Sequence, residues 1–325
     1  MRFLLKRLCL ILLTVSSIAC VAKQPQVDKF STYFWPDMAD PKISLEKVID
    51  TDFIYENRSF WEKFFGIGYD VKPLHRPFAV AANDSFIAVS DIMYGVINLI
   101  DRSDMSLDII GTIDGKHLKS PVDLDFEGND LFIVDSEKNY IIRYNVLTEK
   151  SKFLDIQMKK PVAIKVDHNN QKIFLADTKR NTIIVTDLNG NILNSFGGKL
   201  NYPLDIDLNT KEKKVYVLDS MNFRVVVFNY NGKRLKTFGE IGMKPGQFSK
   251  PKGLCLGKYD RLYITDADFD NFQIFNTEGQ LLYFLGETGN SPIKFYMPER
   301  VYCYEDELYV SDLYNSRVKM YKVYE

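Results

Sequence analysis

Apolar and polar residues alternate along this chain in short runs that recur. After Pro203, "LDIDL" alternates residue by residue, and "KVYVLD", "RVVVFN" and "RLKTFG" follow within the next thirty-odd positions. Each run has the length and period of a β-strand. "NYNGK" between the third and fourth carries an Asn-Gly hairpin signal, and "DLNGN" and "NTEGQ" repeat it in neighbouring stretches. The pattern predicts a four-stranded antiparallel meander, whose strands are termed a to d.

The meander recurs six times. The residue that ends strand b falls at Asp91, Asp135, Asp177, Asp219, Asp266 and Asp312, in steps of 44, 42, 42, 47 and 46 residues. Six positions later stands an apolar residue: Ile97, Ile141, Ile183, Val225, Phe272 and Val318. Ten positions later stands Asp101, Asn145, Asp187, Asn229 or Asn276, with Lys322 in the last copy. A proline opens every unit, at Pro77, Pro121, Pro161, Pro203, Pro251 and Pro298. Four-stranded units at this period predict an all-β fold, a six-bladed β-propeller. One blade cannot bury both of its faces alone, so the blades close into a ring.

The sixth unit reaches strand c at "RVKMYKVYE" and has no fourth strand after it. An open edge would leave backbone groups unpaired. The spare strand-like segment is "KISLEKVID", residues 42–50, which is expected to complete the last blade and close the ring. Between it and the first unit, Ser59 and Glu62 have capping-box spacing, and Phe60, Trp61, Phe64 and Phe65 precede Gly66. A short helix at about 59–65 is expected there, packed as a plug rather than laid on a membrane. Residues 20–41, with Pro25, Pro36 and Pro41, form a tether reaching at most about 70 Å.

The first nineteen residues read as a leader. Arg2, Lys6 and Arg7 precede a short apolar core, Leu8 to Val15, and then Ser17-Ile18-Ala19-Cys20. That ending resembles a bacterial lipobox, which implies a diacylglycerol on Cys20 and cleavage just before it. Ser17 departs from the usual Leu, and Ser-x-Ala also suits ordinary signal-peptide cleavage. Val21, in place of Asp, implies an outer-membrane lipoprotein in the bacterial envelope. Removing the leader leaves 39 Lys+Arg against 43 Asp+Glu, a net charge of −4, which argues against nucleic-acid binding. The propeller is expected to be monomeric. Cys255 and Cys303 remain, four and five residues after equivalent prolines, so they point to opposite faces of their strands. Two buried thiols are expected, a bridge staying open as the alternative in an oxidising compartment.

"VYVLDSMNFRVVVF" and "LYVSDLYNSRVKMY" resemble the NHL repeat, with Asn222 and Arg224, and Asn315 and Arg317, at its motif positions. "FGEIGMKPGQFSKPKGL" (238–254) is similar to that family's Gly-rich blade connection. In the other units the motif is displaced or replaced: Asn139 and Asn181 sit one place late, and Gly95 stands in the first. The resemblance covers about 42–325 and implies the propeller fold. Together with the leader it points to the lipid-anchored NHL propellers of bacteria.

Four sets of residues are candidates for a functional role. Peptide-amidating lyases of the NHL family hold zinc with several histidines. This chain has three, His75 and His117 before strand a and His168 in an a–b turn, which cannot converge. Strand a lines the channel, and its polar positions are Asp123, Asp125, Lys165, Asp205, Asp207, Arg300 and Tyr302. They are expected to form a salt-bridged lining. Asp123 and Asp205 nearest the entrance are the alternative site for a calcium ion, as in sugar-lactonase-like propellers; otherwise no cofactor is expected. The repeated Asp of strand b is expected to accept hydrogen bonds from the b–c turn. The b–c loops carry Ile92, Met93 and Tyr94 on blade one, Met221 and Phe223 on blade four, Phe269 on blade five, and Leu313 and Tyr314 on blade six. Blades two and three carry charges there instead. An aromatic arc on contiguous blades predicts a platform for an envelope protein or peptide. The alternatives are a metal-dependent lyase or lactone hydrolase at the channel mouth, and a scaffold for assembling other envelope proteins.

Overall fold

The structure is a computed structural model that describes residues 34–36, 42–57 and 74–325. The leader, Cys20, most of the tether and the helix expected at about 59–65 lie outside the described residues. Six sheets follow one another, each an antiparallel meander. Their first strands are Pro77–Ala82, Pro121–Glu127, Pro161–Asp167, Pro203–Asn209, Pro251–Gly257 and Pro298–Tyr304. Each begins on a proline of the repeat, which suits the first residue of an edge strand because proline has no N–H to leave unpaired. Neighbouring a strands touch all the way around, blade six meeting blade one. The chain is a closed six-bladed β-propeller.

The strand at Ile43–Ile49 closes the ring as the sequence predicts. It pairs antiparallel with Arg317–Val323, Ile43 opposite Val323 and Ile49 opposite Val318. A bulge between Leu45 and Lys47 keeps Ile43, Leu45, Val48 and Ile49 all buried. Two details were not anticipated. Phe34–Trp35 adds a fifth strand to blade six, so the tether docks on the ring before it reaches the closing strand. A one-and-a-half-turn helix, Thr51–Glu56, follows that strand, capped by Asp50 accepting the Phe53 N–H at 2.8 Å.

Each repeat position has a physical task. The apolar residue six places after the Asp is at most 1% exposed in every blade, between one sheet and the next. The Asn or Asp ten places after it accepts the N–H groups of the c–d hairpin, as Asn229 does from Asn231 and Lys233 and Asp187 from Asn189 and Asn191. In the two long connections, Gly239 and Gly286 hold φ of +93° and +110°. A Cβ there would lie 2.5 and 2.6 Å from the rings of Phe248 and Phe295, which are wholly buried.

Cys255 and Cys303 form a disulfide, with Cα atoms 5.8 Å apart, against the expectation of two free thiols. They do point to opposite faces of their own strands. Blades five and six are neighbours, however, so the forward face of one is pressed against the rear face of the other. Opposite faces on adjacent blades bring the two sulfurs together.

Candidate functional site

The repeated Asp does more than hold the b–c turn. In blade one, Asp91 accepts the N–H of Met93 in that turn and also those of His75 and Arg76 in the linker before strand a. Asp135, Asp177 and Asp266 likewise accept from the two residues before Pro121, Pro161 and Pro251. In blades four and six one linker N–H remains, and an Asn–Arg pair supplies the rest: Asn222 and Arg224 on Asp219, Asn315 and Arg317 on Asp312. Each carboxylate therefore pins a b–c loop to a linker, and these pairs form the rim of one channel mouth. Their role is structural.

The channel side chains form two layers. Strand a is the inner edge of every blade, and its outward N–H groups need acceptors. Asp123 and Asp125 on blade two accept Ile164 N–H and Val166 N–H on blade three, both at 2.7 Å. Asp205 and Asp207 on blade four do the same for Leu254 and Leu256 on blade five, at 2.8 and 2.7 Å. Nearer the rim, Arg300 spans the channel from blade six. It pairs with Asp205 at 2.9 Å and donates to the carbonyls of Leu204 and Val162 at 2.9 and 2.7 Å. In the deeper layer, Lys165 lies 3.5 Å from Asp125 and 4.1 Å from the Tyr302 ring centre, and the Tyr302 hydroxyl donates to Asp125 at 3.0 Å.

Burial governs the charges. It lifts Asp123 to about 7, against the pull of the Arg300 guanidinium, with Asp205 pushing the same way as burial. It lifts Asp207 to about 6, against Lys165 and two backbone N–H groups. Burial works against the Lys165 ammonium too, but Asp125 and Asp207 outweigh it and hold the group above the usual lysine range. Two ion pairs, Lys165 with Asp125 and Arg300 with Asp205, join these side chains. The two acids expected to frame a calcium ion have a guanidinium beside them. Among the described residues, no group of three His, Cys, Asp or Glu side chains is placed to hold a metal. His75 meets Tyr94, His117 meets Thr112, and His168 pairs with Glu127, so the three histidines stand apart.

Above Arg300 the mouth opens into a cavity of about 500 Å³. Phe78, Val162, Tyr202 and Leu204 give it an apolar wall, and Lys159, Lys160, Lys179 and Lys252 surround it. The expected arc is only partly assembled. Met93, Tyr94, Met221 and Tyr314 are 44–57% exposed. Ile92, Phe223 and Phe269 are half-buried, and Leu313 is buried at 6%. Tyr314 stacks with Tyr296 at 5.3 Å and under Arg76 at 5.5 Å, while His75 meets Tyr94 edge-on at 5.8 Å. These contacts join the linkers and loops of blades six and one. Among the described residues no ring contact brings Met221, Phe223 or Phe269 into that cluster. Lys179 was among the b–c loop charges read in the sequence; Tyr296, Lys159, Lys160 and Lys252 were missed there.

No protein-family model and no curated protein matches the sequence. Several solved structures are similar. Virginiamycin B lyase from Staphylococcus aureus is 14% identical with a TM-score of 0.57, over 77% of this chain and 95% of that one. A protein of unknown function from Bacteroides thetaiotaomicron is 12% identical with a TM-score of 0.63, over 78% and 70%. Hydrazine synthase from Kuenenia stuttgartiensis is 11% identical with a TM-score of 0.57, over 79% and 98%. At these identities the likeness shows the fold alone, a β-propeller; the six blades are counted from this chain's own sheets.

Proposed function

We propose that this chain is an NHL-type propeller, lipid-anchored through Cys20 in the bacterial envelope, whose rim face binds a peptide or protein segment. The observation that carries this reading is the aromatic cluster of Tyr94, Tyr296 and Tyr314, exposed beside Met93 on the rim of blades six and one. Aromatic and methionine side chains gathered on a rigid rim suit an interface, where they bury large area at small cost in rotamer entropy. The channel behind them is filled by paired side chains, which favours a contact surface over a passage. The Cys255–Cys303 bridge supports the location, because such bonds persist in oxidising compartments.

The test is site-directed photo-crosslinking in the parent cells. A photoreactive residue at Tyr314 is expected to give a discrete protein adduct, abolished by Tyr94→Ser with Tyr296→Ser. The same group at Lys213, in an a–b turn on the far side, is expected to give none. Equal labelling from both positions sinks the reading. Mass spectrometry of the mature N-terminus tests the anchor, with Cys20→Ser releasing the protein to the soluble fraction.

One observation favours an enzyme as the second reading. Asp123, titrating near neutrality beside Arg300 under the cavity, has the properties of a general acid or base. A lyase or lactone hydrolase of this kind would use Asp123 to move the proton, with Arg300 beside the developing charge. Turnover of lactone and lyase substrates by wild type, lost in Asp123→Asn, would support it, and no turnover by wild type would sink it.

A further inference from the structure

The rim cavity has a charge imbalance that the platform reading leaves unused. Two of its cation–anion sets are internally matched. Lys252 pairs with Glu299 at 3.0 Å, and Arg300, 4% exposed and fixed by two carbonyls, pairs with Asp205. Glu137, the other acid on the wall, is taken by Lys119 at 3.6 Å. Three cations are left over: Lys159 and Lys160 in the linker into blade three, and Lys179 in its b–c loop. Among the described residues no acidic side chain pairs with any of them. Their placement is not accidental to a mobile loop. Asp177 accepts the backbone N–H groups of Lys159 and Lys160 at 2.7 and 3.1 Å and that of Arg180 at 3.2 Å, so one buried carboxylate fixes the stretches that carry all three lysines.

Three unmatched ammonium groups around a concave wall create a focused positive potential on a protein that is otherwise net negative. An ammonium offers donors and no acceptor, so the complementary group is an oxyanion. Resting on the peptide-binding reading, we infer that this cavity is an anion site that takes the carboxylates of an acidic peptide segment. Phe78 and Tyr202 supply apolar contact for the segment's side-chain stems, and the volume of about 500 Å³ admits two or three residues. The lysines give the site its sign, and Arg300 gives it a rigid floor.

The experiment uses the full mature chain and fluorescein-labelled tetraglutamate and tetraglutamine, followed by fluorescence anisotropy at fixed ionic strength. Tetraglutamate is expected to bind saturably and tetraglutamine at least about a hundredfold more weakly, since charge-assisted hydrogen bonds of this kind are each worth about tenfold or more. Lys159→Gln/Lys160→Gln/Lys179→Gln is expected to lose tetraglutamate about a hundredfold while its urea midpoint stays unchanged, because Lys159 and Lys179 are exposed and Lys160 is half-buried with no side-chain ion pair among the described residues. A control with the same net charge, Lys211→Gln/Lys213→Gln/Lys258→Gln in the a–b turns, is expected to bind within about twofold of wild type. Equal loss in both triple variants, or equal binding of the two peptides, overturns the anion site and leaves the platform reading standing. Binding of neither peptide also overturns it, and the crosslink at Tyr314 then judges the platform separately.

Discussion

The guanidinium of Arg300 on blade six lies 2.9 Å from Oδ1 of Asp205 on blade four, across the mouth of blade five. Both side chains are at most 5% exposed. Truncating one member of such a pair leaves a buried charge without its counterion, which typically costs about 3–5 kcal/mol. Arg300→Met is therefore expected to lower the urea midpoint strongly. Arg300→Met with Asp205→Asn is expected to recover part of the loss, because the orphaned charge is gone and the amide oxygen can still accept Leu254 N–H. Equilibrium unfolding of the two variants checks both statements.

Asp123 makes stability depend on pH in an unusual direction for a carboxylate. Its folded value, about 7, lies above the ordinary value of 3.8, so the native state holds a proton that the unfolded chain has released. Between about pH 4 and pH 7 stability consequently falls as pH rises, by up to about 1.4 kcal/mol per unit. Asp207, raised to about 6, adds to the same slope. Lys319 is buried and lowered to about 7, which raises stability with pH only above that value. Asp123→Asn keeps an acceptor for Ile164 N–H and has no proton to lose. Its urea midpoint is expected to decline less than that of wild type between about pH 5 and pH 7, and parallel declines would refute the assignment.

The disulfide closes a loop with a sequence separation of 48 residues. On the chain-entropy account this contributes about 4 kcal/mol by restricting the unfolded state. Cys255→Ala/Cys303→Ala is expected to fold but to melt well below the oxidised protein. Wild type measured with excess reductant is expected to melt close to the double variant.

Leu45 tests the ring closure. It is 1% exposed in the strand that completes blade six. Leu45→Asp places an unpaired carboxylate in that interior, and the folded population is expected to collapse, seen as loss of soluble protein and of cooperative melting. Lys47→Asp, at a half-buried position of the same strand, is expected to be tolerated.

Much of this architecture was legible because its signals repeat. Six prolines, six strand-b aspartates and five turn residues mark the blades, and the missing fourth strand of the last unit pointed to residues 42–50. The failures share a cause: they concern what one blade does to the next. Cys255 and Cys303 were judged within their own strands, whereas the bond lies between sheets. Asp123, Asp125, Asp205 and Asp207 could be read as strand-a polar positions, because they alternate with apolar ones. That each accepts a backbone N–H of the following blade depends on inter-blade register, which no single repeat encodes. The lysine rim had a readable sign. The two residues before each proline are His75 and Arg76, Lys119 and Ser120, Lys159 and Lys160, Asn201 and Tyr202, Ser249 and Lys250, and Tyr296 and Met297. They differ in every copy while the proline does not, as expected of positions that present variable side chains from a fixed frame.

The pairing of Ile43–Ile49 with Arg317–Val323 also dictates an order of assembly. The first of these strands is synthesised some 270 residues before the second, so it waits unpaired while five blades form. Contacts this far apart in sequence make for slow maturation and prolonged exposure of a sticky edge. The later of the two strands is the one that turns a linear stack of sheets into a closed wheel, and until it arrives the molecule is a spring without a clasp.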